Sequence, residues 1–206
     1  MNCELFKDDI ARLADVIEKI KLSAHKLHES VNQTYDYVHP YGYHLDMVVD
    51  AVYKYGYEVC AQESDILPLF FGAYYHDSIE DARLTYNDVM KIASQHMSQE
   101  QAFMAAEIVY ALTNDKGRTR AERAGEKYYK GIRETPYAPF VKLADRLANI
   151  THSSYNTNES NAHMKTVYRE ELPHFLEAIA PQDNNDVRFN LPQTIIDELH
   201  RLTGTN

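Results

Sequence analysis

The chain has 206 residues, 44% of them apolar, with seven glycines, seven prolines, sixteen tyrosines and no tryptophan. That length and composition suit one sizeable core and argue against an all-β or disordered chain. A formal net charge of −10 excludes broad duplex binding, which needs Lys and Arg to neutralise phosphates, yet leaves room for a small basic pocket around one nucleotide.

Residues 5–29 carry Leu5, Ile10, Leu13, Ile17, Ile20 and Leu22 near the 3.6-residue period of a helix. The polar stretch "ESVNQTYDYVHP" reads as a loop, and Pro40 as a first-turn residue of the helix "YGYHLDMVVDAVYKY". "EVCAQESD" breaks that helix, and a third runs from about Ile66 to His76 and beyond. Thr85 or Asn87 opens the next helix, and Ser98 with Gln101 stands at capping-box spacing ahead of another. "RTRAERAGEKYYKGI", "APFVKLADRLANITHSSY" and "NAHMKTVYREELPHFLEAIA" follow as helical segments. Residues 181–191 form a loop, and "QTIIDELHRL" closes as a short amphipathic helix. No strand ladder, repeat or low-complexity tract is evident. The expectation is all-α, a single bundle of about eight to ten helices over residues 1–180, with the loop and helix of 181–206 packed on the same domain.

Cys3 and Cys60 form neither a ligand spacing nor a disulfide scaffold, which points to a reducing, cytoplasmic compartment. The N-terminus is charged and lacks the apolar core of a signal peptide, and no run approaches the roughly 18 apolar residues of a membrane span.

The chemistry concentrates in "HDSIED", where His76, Asp77, Glu80 and Asp81 lie directly behind the apolar run "ILPLFFGAYY". At helical spacing these four address one cavity, with Asp81 near its rim. Alone, the dipeptide reads as a capped helix end with solvated acids. In "FVKLADRLANI", Asp145 sits inside an apolar helical segment, and a buried carboxylate needs a partner. That partner is Lys142 or Arg146 in an ion pair, or a metal ion. His44, with Met47, Val48 and Ala51 on its face, reads alone as a hydrogen-bonded core histidine. Together, His44, His76, Asp77 and Asp145 are two imidazoles and two carboxylates from three helices, a donor set that suits a transition metal. The tyrosine pairs Tyr74–Tyr75 and Tyr128–Tyr129 read as packing at the core edge, and His25, His28 and His39 as surface or supporting residues.

The order His, His-Asp, Asp resembles the HD-domain metal-dependent phosphohydrolases, and within them the (p)ppGpp hydrolase domain of RelA/SpoT enzymes and their small stand-alone relatives. The resemblance covers about residues 20–170. It rests on "PYGYH" for P-Y-x-x-H, "HDSIED" for H-D-x-x-E-D, "TNDK" at 113–116 for T-D-D-K, and "KLADRLAN" at 142–149 for K-L-A-D-[KR]-L-x-N. His39, followed by proline, competes for the first position, but the P-Y-x-x-H spacing selects His44. The resemblance implies manganese held by His44, His76, Asp77 and Asp145, with Glu80 and Asp81 acting on the attacking water. It implies a phosphorylated nucleotide met by Lys116, Arg120, Arg123 and Asn149, and no synthetase activity. One departure stands out: no Lys or Arg occurs between Lys26 and Lys54, where the family carries basic residues. That departure favours another nucleotide, such as a nucleoside monophosphate or a deoxynucleoside triphosphate. A catalytically idle nucleotide- or partner-binding module is a further alternative, against which the intact ligand set counts. Homo-oligomerisation is left open.

Overall fold

A computed structural model describes residues 1–114, 118–155, 158–181 and 185–205, with the side chains of Arg120 and Ala121 not described. The expectation of an all-α fold holds. Helix α1 spans Cys3–Ser30, capped by Asn2, whose side chain accepts from the Leu5 N–H at 2.8 Å. The loop after it contains a minimal antiparallel pair, β1 (Thr34–Tyr35) and β2 (His39–Pro40). Asp36 and Tyr37 turn between them with φ of 51° and 60°, the left-handed backbone that a tight hairpin needs. Pro40 therefore pairs with Thr34 in β2 instead of opening a helix, and α2 (Gly42–Tyr55) starts after Tyr41.

Two 3₁₀ turns, Gly56–Glu58 and Glu63–Asp65, occupy the break read in "EVCAQESD" and lead into α3 (Ile66–Tyr75). Every residue of α3 is buried, as an all-round apolar helix must be. It packs against α1, α2 and α5 (Gln99–Leu112). Capping boxes open α4 (Tyr86–Ala93), through Thr85 and Asp88, and α5, through Ser98 and Gln101. The stretch "RTRAERAGEKYYKGI" holds two helices, α6 (Arg120–Arg123) and α7 (Glu126–Glu134), separated at Ala124–Gly125. Helix α8 (Ala138–Tyr155) packs on α2, α9 (Glu159–Ile179) and α10 (Gln193–Thr203), the last burying Ile195 and Leu199. Among the described residues no helix is long and apolar enough to cross a membrane.

The central helix stops at Tyr75, earlier than its sequence pattern suggests. Residues 76–82 continue as turns, with the Asp81 N–H donating to the Asp77 carbonyl at 2.9 Å and the Leu84 N–H to the Ser78 carbonyl at 3.2 Å. Arg83 at φ 59° closes them, the left-handed residue expected where a helical turn ends. Helical periodicity from His76 onward is therefore the wrong ruler for its neighbours.

Gly72 marks the closest approach of α3 to α5. A Cβ there would meet the Ile108 Cγ2 at 2.6 Å and Cβ at 3.2 Å. Gly72→Ala gains up to about 1 kcal/mol of helix propensity, but forcing a fully buried branched side chain aside costs about 1–3 kcal/mol. The expected net result is a lower denaturation midpoint with an unchanged urea m-value.

Candidate metal centre

The fold brings the start of α2 and the end of α3 against the middle of α8. His44 lies in the first turns of α2, His76 and Asp77 directly follow α3, and Asp145 lies mid-way along α8. Ligand atoms of His44, His76 and Asp145 all lie within 4.8 Å of one another. The two imidazole Nε2 atoms are 3.3 Å apart. Asp77 Oδ2 is 2.9 Å from His76 Nε2 and 3.8 Å from His44 Nε2. Asp145 Oδ1 is 3.3 Å from His44 Nε2 and 3.9 Å from His76 Nε2. Bonds of about 2.1 Å to one ion put neighbouring donors about 3.0–3.4 Å apart, for octahedral or tetrahedral geometry. The spacings among His44, His76 and Asp145 bracket that range, so these three could hold one divalent transition metal; Asp77 Oδ2 lies against His76 Nε2 but is not within that mutually close group. His39 lies half-buried against Tyr43, its ring 4.4 Å away, and is not part of this cluster.

Supporting contacts fix several of these donors. The Ala73 carbonyl accepts from His76 Nδ1 at 2.9 Å, so that nitrogen carries the proton and Nε2 faces the cluster. Burial opposes charging of the His76 imidazole, but Asp77 and Asp145 carry its pKa up to about 9. Burial also opposes ionisation of Asp77, which His76 overrides, holding that carboxyl well below the usual range. Tyr41 donates its hydroxyl to Asp77 Oδ2 and stacks on the buried His28, ring centroids 4.7 Å apart.

Asp145 has the ion pair that the sequence offered with Lys142, and it also faces a histidine. Its Oδ2 accepts from Lys142 Nζ at 2.9 Å, while Oδ1 faces His44 and accepts from Asn149 Nδ2 at 2.6 Å. Lys142 outweighs the cost of burial and keeps Asp145 ionised. Arg146 instead pairs with Glu171 at 2.9 Å and stacks on Phe175 and Tyr168.

Glu80 and Asp81 occupy different environments. Glu80 is exposed, and its two oxygens accept from the backbone and side-chain nitrogens of Asn114, the latter at 2.9 Å. That contact ties the turn after α3 to the "TNDK" segment. Asp81 is half-buried, and burial together with nearby Asp77 pushes its carboxyl up to about 6, a hydrogen bond from Tyr41 partly offsetting them.

The cluster opens into a cavity of about 770 Å³, a size that takes drug-sized ligands. Arg123, Lys142, Arg146 and Asn149 are among its lining residues, as are Tyr128 and Tyr129. Those two tyrosines thus pack, as their sequence suggests, and also form cavity wall. Lys116 lies outside the described residues, and Arg120 lies in α6 with its side chain not described. The sequence reading missed Tyr35 and Tyr41 at the cluster. Tyr41 had a signal in its position three residues before His44, where an α2 first-turn residue reaches the helix end; Tyr35, within a polar loop, had none.

No family model matches the chain, and no curated protein matches it. A solved structure does. It is a metazoan ortholog of SpoT that hydrolyses ppGpp and plays a role in starvation responses, matched over 93% of this chain and 97% of that one, with TM-score 0.61 and 19% identity. The chain has the fold of this hydrolase. The all-helical arrangement expected from the sequence is therefore shared with that structure over nearly the whole chain.

Proposed function

We propose that the chain is a divalent-metal-dependent phosphohydrolase of a phosphorylated nucleotide, and that its reaction is removal of the 3′-pyrophosphate of (p)ppGpp. The observation that supports this reading is the close approach of His44, His76 and Asp145, with Asp77 against His76, beside a cavity lined by Arg123, Lys142 and Arg146. A bound divalent ion, manganese by the family resemblance, would supply a more acidic water and polarise a phosphoryl oxygen. The HD-type fold and the order of the four motifs support the choice of substrate.

The chain's own residues do the rest. Asp81, with a carboxyl near 6, takes a proton from the attacking water and returns it near neutral pH. Glu80 holds Asn114 and with it the start of the segment that carries Lys116. Lys116, Arg120 and Arg123 meet the phosphates, and Asn149, beside Asp145, faces the substrate. Two unpaired cysteines, one of them buried, fit a cytoplasmic setting.

A second reading, hydrolysis of another nucleotide by the same centre, is favoured by the absence of Lys and Arg between Lys26 and Lys54. Tyr35 and Tyr41 line the cavity from that stretch, so one wall is aromatic and uncharged. The deciding experiment incubates the manganese-loaded protein with ppGpp, a nucleoside monophosphate and a deoxynucleoside triphosphate, and identifies the products. Pyrophosphate and GDP from ppGpp are expected. Intact ppGpp beside a hydrolysed second nucleotide would replace the first reading with the second. A metal-loaded protein that turns over none of them is a binding module.

A further inference from the structure

The two histidines of the centre are held in different ways. His76 is oriented by a hydrogen bond from Nδ1 to the Ala73 carbonyl. His44 Nδ1 is buried and has no hydrogen-bond partner among the described residues. Metal-binding imidazoles almost always donate their second nitrogen to an oxygen, which sets the plane and tautomer of the ring. His44 needs some other device to hold its plane.

Tyr35 supplies it. The Tyr35 ring lies parallel to His44, with centroids 4.8 Å apart and 12° between planes, while Tyr41 closes on His44 edge-on at 5.5 Å. The other end of the same side chain reaches a second ligand. The Tyr35 hydroxyl donates to Asn149 Oδ1 at 2.9 Å, and Asn149 Nδ2 donates to Asp145 Oδ1 at 2.6 Å. The amide is thus turned by Tyr35 so that its N–H₂ faces the carboxylate.

The tyrosine is itself anchored. It sits in β1, next to Asp36, whose Oδ2 accepts from His152 Nε2 and Asn161 Nδ2, each at 3.0 Å. The His152 ring meets Tyr35 edge-on at 4.8 Å. The hairpin is therefore pinned to α8 and α9 on one side and presses on α2 on the other.

We infer that Tyr35 is the positioning residue of the metal centre. Its ring sets the plane of His44, and its hydroxyl, through Asn149, sets Asp145. Ligands from two helices are thereby brought into register by one side chain of a third element. The inference rests on the proposal that His44 and Asp145 bind metal.

The test is a titration of metal-free protein with Mn²⁺ alone and with Co²⁺ alone, following the Co²⁺ visible absorption as a report on geometry. Tyr35→Phe keeps the ring stack and loses only the hydroxyl; it should weaken metal binding less than tenfold. Tyr35→Ala loses both contacts and should weaken it about 10–100-fold, the range for residues that orient metal ligands, with an altered Co²⁺ spectrum. Tyr35→Leu retains apolar bulk under the hairpin and serves as the same test if Tyr35→Ala does not fold. A merely structural tyrosine would lower the melting temperature of these variants and leave affinity and spectrum alone. A folded Tyr35→Ala or Tyr35→Leu that binds within threefold of the parent, with its spectrum, overturns the inference. A parent protein that binds neither ion overturns the metal centre itself, and the two failures are distinct.

Discussion

Asp77→Ala should bind no divalent metal and lose turnover beyond the roughly 10–100-fold that supporting residues of a metal site cost. Asp77 Oδ2 lies 2.9 Å from His76 Nε2 and 3.8 Å from His44 Nε2, and it accepts the Tyr41 hydroxyl. Removing it takes an anionic carboxylate away from the two imidazoles. Elemental analysis of the purified variant beside the parent, with nucleotide turnover, checks both halves of the expectation, and full metal occupancy would remove Asp77 from the ligand set. The same contacts set a pH dependence. With the His76 pKa at about 9, a proton and a cation compete for Nε2 below that pH. Metal binding near neutrality should therefore release a proton, and affinity should rise as pH is raised toward about 9.

The second large effect is expected at Asp81. Asp81→Asn should keep its metal and lose about 10²–10⁴-fold in turnover, the scale of a lost general acid or base. In the parent, turnover should rise with pH as Asp81 ionises, with an acid limb at or below about 6, since a bound cation can only lower that value. The limb should vanish in Asp81→Asn. Glu80→Gln, whose carboxamide can still accept from Asn114, should lose less activity and retain the limb. A limb unchanged in Asp81→Asn would assign the proton to another group. Stability gives an independent sign. Burial, with Asp77 nearby, raises the Asp81 pKa from an ordinary carboxyl value to about 6 on folding, so the folded state binds the proton more tightly. Its contribution to stability is present below about 4 and is lost as pH rises through 6. Metal-free Asp81→Asn should accordingly melt higher than the parent at neutral pH.

Much of this molecule follows from local pattern. The helix starts at Thr85 and Ser98 are set by side chains that cap backbone N–H groups three residues away, a short-range event that spacing alone encodes. The apolar run of α3 demands burial on all sides wherever the chain goes. The candidate donors were legible for a related reason: a histidine and carboxylates at the edge of apolar helices are costly unless something pairs with them. The sequence by itself therefore determined the helical class and the central helix, and singled out His44, His76, Asp77 and Asp145 as candidates for a common partner.

What lay beyond it was everything set by contact between distant segments. The sequence could not place Glu80 and Asp81, because α3 ends at Tyr75 and the turns to Arg83 send one carboxylate to Asn114 and leave the other half-buried beside Asp77. Nor could it find Tyr35, which lies 114 residues from Asn149 in the chain and 2.9 Å from it in space. Local pattern records the cost of burying a group, while the identity of the group that offsets the cost depends on which surfaces the packing of α2, α8 and the hairpin brings together. Only the tertiary structure decided that.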